Sequence, residues 1–384
     1  MAQTHPQHPA DTPAAGQILL EQIRQWIEIE TPSHDPAAVA SLAQVVAGQA
    51  RSAGLAVTLQ DLDAAVGPLL TVSHRAPGDT RPGIIVLAHL DTVHPLGMLK
   101  RNPFRIEGDR VYGPGGYDMK AGACVALEAL KRVAARNENA LPIDMLFVPD
   151  EEIGSTASRA TIEGIAAGAR WALVGEPARH GGRCVTARKG IGGVRLQAQG
   201  CAAHAGLQHE RGRNAIRELA QQVLALEAMT DYQRGITVNV GTIAGGTAAN
   251  VVPENAGLLG EFRAPTLALA EATRAQILAL QPCTPDTTLA VEAWIKRPPY
   301  ERTEGIADLL RRAQQYATLA GFDLDEVPMT GGASDGNFTA ALGIPTLDGL
   351  GVAGDGAHSP TEYFLLSSLM PRLIFWTALL NGLE

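Results

Sequence analysis

The chain lacks a basic excess and a long apolar run. It has 31 Lys and Arg against 40 Asp and Glu, a formal net charge of −9, and no strongly basic segment. This balance argues against a nucleic-acid partner and against an anionic membrane surface. No stretch has the roughly 20 consecutive apolar residues that cross a bilayer, so we expect no membrane association.

Cysteine is also scarce. Cys124, Cys184, Cys201 and Cys283 are scattered and share no metal-ligand spacing, so they are interpreted as buried free thiols in a reducing compartment.

Residues 1–16 are polar and lack the apolar run of a secretory signal. We therefore expect a cytoplasmic protein, although a periplasmic form whose signal had been removed would have the same composition.

The chain is long enough for two domains, because 384 residues exceed the roughly 250–300 at which one hydrophobic core stops growing. The first half alternates strands and helices, which predicts an α/β fold with a mixed sheet covered on both faces. From about Arg183 the order becomes β-α-β-β-α-β, as in ferredoxin-like domains. The Lys-Arg-Pro-Pro segment at 296–299 is interpreted as a hinge. We predict a main domain of residues 1–184 and 298–384, interrupted by an inserted domain at 185–297.

Five segments, far apart in the chain, each carry a residue type that binds hard divalent metals. They are His89-Leu90-Asp91, Asp118-Met119-Lys120, Asp150-Glu151-Glu152, Gly175-Glu176-Pro177 and His358-Ser359. Three of them directly follow apolar runs typical of β-strands, and ligands of α/β folds collect where parallel strands end. Two histidines and three carboxylates form a nitrogen and oxygen ligand set that suits a pair of zinc ions or similar divalent metals.

Each segment alone also has a structural explanation. His89 and Asp91 lie on the same side of an extended segment, so Asp91 could orient either a metal-binding imidazole or a purely structural histidine. Asp118 follows the glycine-rich segment 113–116 and is either a bridging carboxylate aimed by a closely approaching backbone or the N-cap of the next helix. The acidic residues 150–152 form either a solvated loop or a metal ligand beside a general base. The joint occurrence of all five segments favours the metal site.

The order and local context of these segments resemble the M20 metallopeptidases, and within them the glutamate carboxypeptidase branch, from about residue 17 to the C-terminus. The resemblance implies a di-metal aminopeptidase-like catalytic domain with an inserted ferredoxin-like lid and dimerisation domain, and hence a homodimer. It implies that Asp118 bridges two divalent ions, with Zn²⁺ expected and Co²⁺ or Mn²⁺ as alternatives. His89 and Glu176 would complete one metal site, and Glu152 and His358 the other.

The resemblance also implies roles around the two metals. Glu151 is implied as the general base that takes a proton from a water bridging the metals. Asp91 is implied as the hydrogen-bonding partner of His89. The peptide bond between Asp118 and Met119 is expected to be cis, as is typical of the family.

Residues of the inserted domain and of the glycine-rich loop after it resemble substrate-binding positions of the family. His204 is the candidate oxyanion donor, which in dimeric relatives reaches the neighbouring subunit's active site; a polar lid residue is the alternative. Asn250 and Arg263 match positions that hold a substrate carboxylate or carbonyl, although Arg263 could equally be a strand-surface charge. Gly332 lies in a loop similar to the family's substrate loop, and Arg297 either faces an acidic substrate side chain or closes the hinge.

Together these features imply a hydrolase that cleaves an amide bond adjacent to a free carboxylate in a small molecule or short peptide, as a glutamate-type carboxypeptidase does. An N-acyl amino acid deacylase or a dipeptidase of the same family remains an alternative, because the motifs do not separate these activities. A non-catalytic metal-binding or peptide-binding relative is disfavoured, since Glu151 and Asp118 are both present. A thiolate-ligated amidohydrolase is disfavoured because Cys124 does not occupy a ligand position.

Overall fold

The computed structural model describes residues 13–384, which fall into two compact units. The first unit contains the chain up to Thr186 together with Arg302–Pro328 and Ser334–Glu384. The second contains Ala187–Glu301 and the short segment Met329–Ala333, so residues 298–301 and 329–333, which were predicted to lie in the main domain, belong to the second unit. The polar start of the chain lies mostly outside the described residues, and the predicted lid and dimerisation role of the second unit stays a prediction.

The regular elements alternate along the described part of the chain. The helices are α1 (Pro13–Ile27), α2 (Pro36–Ser52), α3 (Ala121–Arg136), α4 (Arg159–Ala166), α5 (Ala215–Glu227), α6 (Leu267–Leu278), α7 (Glu304–Leu319), α8 (Gly336–Ala341) and α9 (Leu369–Gly382). The strands are β1 (Ala56–Gln60), β2 (Leu69–His74), β3 (Gly83–His89), β4 (Arg105–Glu107), β5 (Arg110–Tyr112), β6 (Ile143–Val148), β7 (Ala169–Val174), β8 (Cys184–Val185), β9 (Gly190–Gln199), β10 (Ala203–His204), β11 (Thr237–Gly245), β12 (Val251–Val252), β13 (Asn255–Ala264), β14 (Thr288–Arg297), β15 (Glu326–Val327), β16 (Thr346–Leu347), β17 (Gly354–Asp355) and β18 (Tyr363–Leu365). Short helical turns are formed by Met98–Lys100, Gly116–Lys120, His209–Arg211 and Leu366–Ser368.

The first unit is built on a six-stranded mixed sheet in the order β1-β2-β6-β3-β7-β16. Strands β6, β3, β7 and β16 run parallel, whereas β2 is antiparallel to both of its neighbours, β1 and β6. Every residue of β3 is buried, as expected for a strand covered on both faces. Ile84 and Val86 join a core shared with α1, α2, α3 and α9, while Ile85 and Leu87 join a second core with α4 and α8. The predicted mixed sheet with helices on both faces is therefore confirmed.

A smaller four-stranded sheet in the first unit has the order β17-β18-β5-β4. Its antiparallel pair of β5 and β18 places Tyr112 opposite Tyr363. This pairing brings the glycine-rich loop that follows β5 next to the chain between β17 and β18. These two loops carry Asp118 and His358, so this small sheet connects two segments that are distant in sequence.

The second unit has the predicted ferredoxin-like order, with a sheet β11-β13-β9-β14 and helices α5 and α6. Along β9 buried and more exposed residues alternate, because one face packs against the helices and the other does not. Leu196, Leu219, Phe262 and Ile277 belong to the core between sheet and helices. A separate antiparallel pair, β10 and β12, places His204 opposite Val251.

Two expectations from the sequence need comment. The segment 296–299, predicted as a hinge, begins inside β14, which continues to Arg297 because it pairs with β9 as far as Ile191; its role as a hinge stays a prediction. The four thiols are not all buried: Cys201 and Cys283 are exposed. Among residues 13–384, no helix combines the length and apolar character that crossing a membrane requires.

Candidate metal centre

One sheet edge and one loop position four of the predicted metal ligands together with the predicted base. His89 is the last residue of β3 and pairs in register with Val148, the last residue of β6. Glu151 and Glu152 follow β6, and Glu176 follows β7. Because β3, β6 and β7 are parallel, their carboxyl ends meet at the same edge.

The loop after β5 delivers Asp118 to this edge. Gly115 has φ of 66°, and a Cβ at this position would lie 2.3 Å from Thr92 Cγ2, so only glycine fits there. The peptide bond between Asp118 and Met119 is cis, as expected. Lys120 is the N-cap residue of α3 and no side chain caps this helix, so the alternative of Asp118 as an N-cap is wrong.

The carboxylate of Asp118 lies between the two histidines. Asp118 Oδ1 is 3.3 Å from His89 Nε2, and Asp118 Oδ2 is 3.2 Å from His358 Nε2. On the first side, His89 Nε2 is also 3.7 Å from Glu176 Oε1. On the other side, His358 Nε2 is 3.2 Å from Glu152 Oε2. One carboxylate is thus shared by two sets of nitrogen and oxygen atoms.

Glu151 belongs to the same cluster. One potential ligand atom from each of His89, Glu151 and Glu176 lies within 4.8 Å of the others, and the same holds for His89, Asp118 and Glu152. The structure therefore brings together His89, Asp118, Glu151, Glu152, Glu176 and His358. Their sequence neighbour Asp150 is different: its carboxylate accepts hydrogen bonds from Ala157 N at 2.8 Å and Ser158 Oγ at 2.5 Å, and it fixes a turn.

Asp91 is connected to His89 differently from the sequence expectation. The Nδ1 of His89 lies 2.9 Å from the backbone carbonyl oxygen of Asp91 and 3.6 Å from its carboxylate. The carboxylate instead accepts the backbone N–H groups of Glu151 and Glu152, both at 3.1 Å. The hydroxyl of Ser33 donates to it at 2.7 Å. Asp91 therefore orients the imidazole with its backbone and the acidic loop with its side chain.

The pKa shifts within the cluster reflect the negative charge that is concentrated there. Burial, assisted by the charge of Asp118, raises the pKa of Glu152 to about 7 and also raises the pKa of Glu176. Hydrogen bonds to Asp118 and Glu152 raise the pKa of His358 to about 10. Burial opposes the charge of Asp118, but hydrogen bonds from both histidines lower its pKa. These pKa shifts favour the protonated forms of Glu152, Glu176 and His358, and a divalent cation would replace those protons.

The donor set fits divalent metals. It contains imidazole nitrogens and carboxylate oxygens, which zinc and related ions accept. Glu152 Oε1 is buried and has no hydrogen-bond partner among the described residues, although a buried carboxylate oxygen without a partner is costly. A cation at this oxygen would satisfy it.

Two residues close to the centre were missed by sequence reasoning. Ser33 lies 58 positions from its partner Asp91, and no local pattern predicts a contact across that separation. Glu362 was visible only as an acidic residue four positions after His358, in a turn that could equally face solvent. It is buried, and it contacts the loop that carries Asp118.

The remaining candidates lie in the second unit. His204 is exposed, and its Nδ1 accepts the backbone N–H groups of Gly206 and Leu207, both at 3.2 Å. A ring nitrogen that accepts in this way leaves the proton on Nε2, so Nε2 is a hydrogen-bond donor. The backbone carbonyl of Asn250 accepts the N–H of Ala205 at 2.9 Å, which ties the segment containing Asn250 to the one containing His204.

Arginines hold the glycine-rich loop in the second unit. Arg263 donates to the carbonyl of Gly331 at 2.6 Å and forms an ion pair with Glu261 at 2.8 Å. Arg188 donates to the carbonyl of Gly332 at 3.0 Å. The predicted substrate-binding residues Arg263 and Gly332 are therefore part of one connected structure, while Arg297 is buried at the end of β14.

The sequence matches known proteins over most of its length. Residues 85–382 match the model of peptidase family M20/M25/M40. Carboxypeptidase G2 from Pseudomonas sp. (strain RS-16) is 29% identical over 367 residues, which cover 94% of this chain and 88% of the relative.

The structure resembles solved members of the same fold. Aminopeptidase PepT from Bacillus cereus ATCC 10987 matches with a TM-score of 0.76 and 22% identity, over 95% of this chain and 98% of that one. The M20 family metallo-carboxypeptidase Sso-CP2 from Sulfolobus solfataricus matches with a TM-score of 0.73 and 17% identity, over 94% and 98%. These structural matches show a shared fold, and the family match shows that the chain belongs to peptidase family M20/M25/M40, as its motifs predicted.

Proposed function

We propose that this peptidase uses two divalent metal ions to hydrolyse an amide bond adjacent to a free carboxylate, as a glutamate-type carboxypeptidase. The observation that carries the proposal is the position of Asp118, whose two carboxylate oxygens lie 3.3 Å from His89 and 3.2 Å from His358. A carboxylate placed in this way can bridge two cations. The name of the relative carboxypeptidase G2 supports the choice of carboxypeptidase.

The ligand assignment follows the two sides of Asp118. His89 and Glu176 would complete one site, and Glu152 and His358 the other, with Asp118 common to both. Zinc is the expected ion, and cobalt or manganese would suit the same donors. When bound, the ions supply Lewis-acid polarisation of the substrate carbonyl and lower the pKa of a bound water.

Glu151 is the proposed general base. It lies beside the ligands but follows β6 in a loop whose backbone N–H groups are held by Asp91. It would accept a proton from the attacking water and then deliver one to the leaving amine. Asp91 accepts the N–H groups of both Glu151 and Glu152, so it holds the backbone that carries the base and the adjacent ligand.

The second unit would supply the substrate contacts. Nε2–H of His204 is a donor suited to the developing oxyanion, a contribution of about 3–4 kcal/mol for one such donor. Arg263, Asn250, Gly332 and Arg297 are the proposed contacts to the substrate's carboxylate or side chain. The family resemblance also supports a homodimer in which His204 acts on the neighbouring subunit.

The test is the variant Glu151→Gln, with Glu107→Gln as the control, since Glu107 is an exposed carboxylate on β4. Metal-stripped protein is restored with zinc, cobalt or manganese and offered an N-acyl-glutamate, a glutamate-terminated dipeptide and acetylated amino acids. We expect Glu151→Gln to bind two metals and lose turnover, while Glu107→Gln retains both. Substantial turnover by Glu151→Gln would refute the role of the base.

The same panel separates the related activities. Preferred release of glutamate from N-acyl-glutamate would support the proposed carboxypeptidase activity. Preference for acetylated amino acids or for the dipeptide would assign a deacylase or a dipeptidase instead.

A further inference from the structure

Glu362 is a buried carboxylate that accepts four hydrogen bonds. Its Oε1 accepts the backbone N–H groups of Tyr117 at 2.9 Å and Asp118 at 2.8 Å. Its Oε2 accepts the N–H of Gly115 at 2.9 Å and Nε2–H of His94 at 2.7 Å. Three of these four donors are backbone groups of the loop that delivers Asp118.

These hydrogen bonds fix the backbone of the loop beside the shared carboxylate. The N–H of Asp118 itself is held, and so are those of Tyr117 and Gly115, so the loop has little freedom to shift. Hydrogen bonds to a charged acceptor are shorter and stronger than neutral ones. Small movements of a carboxylate matter greatly when each oxygen must meet a different ion.

Glu362 also links this loop to the other metal-binding loop. It lies four residues after His358 and directly before β18, whose Tyr363 pairs with Tyr112 at the end of β5. The same short segment therefore carries a candidate ligand of one metal and holds the backbone of the ligand common to both.

We propose that Glu362 is a positioning residue that sets the Asp118 carboxylate between the two metal sites and so controls the affinity of both. This role rests on the proposed function, because it requires that the cluster bind metals. It requires no turnover, so metal binding alone tests it.

The second unit provides a matched comparison. Glu218 is also a buried carboxylate that accepts backbone N–H groups, from Cys283 at 3.0 Å and Thr284 at 2.6 Å. The side-chain amide of Gln222 donates to it at 2.8 Å. Glu218 is thus buried like Glu362 and also accepts both backbone and side-chain donors, but it holds a loop of the second unit that carries no predicted ligand.

The experiment compares Glu362→Gln with Glu218→Gln in full-length, metal-stripped protein. Each variant replaces one carboxylate oxygen by an amide NH₂, which places a donor against donors and leaves at least one N–H without an acceptor. Cobalt binding is followed by absorption titration, and the thermal midpoint is measured in parallel. We expect both variants to lower the midpoint. Only Glu362→Gln should weaken both cobalt sites, by about 10–100-fold, as for residues that orient metal ligands.

Variants of His94 test the same role if Glu362→Gln does not fold. His94→Gln keeps an N–H donor for Glu362, whereas His94→Leu removes it, so cobalt affinity should be retained in the first and fall several-fold in the second. Wild-type affinity in Glu362→Gln, or an equal loss in Glu218→Gln, would overturn the positioning role alone. Wild-type protein that binds no cobalt would overturn the metal centre, and the positioning role with it.

Discussion

Glu218 in the second unit and Glu152 in the first are both buried glutamates, yet their surroundings shift their pKa values in opposite directions. Burial opposes the charge of Glu218, but hydrogen bonds from Gln222, Cys283 and Thr284 lower its pKa. Burial and the charge of Asp118 raise the pKa of Glu152 to about 7, and its Oε1 lacks a partner among the described residues.

The difference distinguishes two uses of a buried acid. A carboxylate that stabilises a loop is surrounded by donors that satisfy its charge without any added ion. A carboxylate placed among other acids and histidines is left short of positive charge, which is the condition for binding a cation. Asp150 and Glu152 show the same contrast within three residues of one loop, because the side-chain oxygens of Asp150 are satisfied by Ala157 and Ser158.

The largest expected effect comes from removing the charge of the shared carboxylate. Asp118→Asn should lower the affinity of both metal sites by more than the roughly 10–100-fold typical of residues behind the ligands, and turnover should be lost. Asp150→Asn is the matched control, since it changes a buried carboxylate of the same sheet edge that serves a turn. It should lower the thermal midpoint and keep two metals per chain, measured by elemental analysis. Loss of metals from Asp150→Asn would erase the contrast.

A smaller effect should come from the backbone that carries Asp118. Gly115→Ala would combine a left-handed φ of 66° with a Cβ 2.3 Å from Thr92, and we expect a loss of about 3 kcal/mol in the free energy of unfolding. Gly181→Ala has a similar φ of 77° but no atom within 4 Å of the added Cβ, so it should cost only about 1 kcal/mol. Denaturant unfolding measures both. Equal losses would show that Thr92 yields to the added methyl group.

The smallest effect is a difference in pH dependence. Because the pKa of Glu152 is raised in the fold, its contribution to the free energy of unfolding of the metal-free protein is fully present below about pH 4.5. This contribution is lost as the pH rises through about 7. The free energy of unfolding of Glu152→Gln, relative to that of the wild type, should therefore increase by about 2 kcal/mol as the pH rises from 5 to 8. Because the pKa of Glu218 is lowered in the fold, its contribution to the free energy of unfolding is present above pH 4.5. This contribution is lost only as the pH falls.

Chelator-treated protein unfolded in denaturant across this range gives the test. The difference between wild type and Glu218→Gln should stay flat from pH 5 to 8. A flat difference for Glu152→Gln as well would contradict the raised pKa. Added zinc should remove the pH-dependent loss of stability in the wild type, because the ion replaces the proton on Glu152.

The sequence predicted the parts of this molecule that depend on local pattern. Apolar runs that end in His89, Asp150 and Glu176 predicted strands whose ends meet, and the β-α-β-β-α-β order predicted the fold of the second unit. The cis bond after Asp118 followed from the family resemblance. The ligand roles themselves stay predictions until metal binding is measured.

What could not be predicted depends on long-range contacts or on precise geometry. Glu362 meets Asp118 across 244 positions, and the pairing of β5 with β18 that allows this has no signal in either short segment. The spacing of His89 and Asp91 indicated an interaction but not that the backbone carbonyl would be the acceptor. The pairing of β14 with β9 carried the strand through Arg297, against the local preference of the following prolines for a break.

The pairing of β5 with β18 also sets when the candidate centre can be completed. During synthesis His89, Asp118, Glu152 and Glu176 emerge first, then the whole second unit, and only afterwards His358 and Glu362. Domains fold largely as units from the N-terminal end as they emerge. Here the first unit cannot be completed until β17 and β18, which flank His358, have been made. The nascent chain therefore carries most of the candidate metal cluster without the segment that fixes it, and the proposed centre becomes complete only after Glu362 has been made.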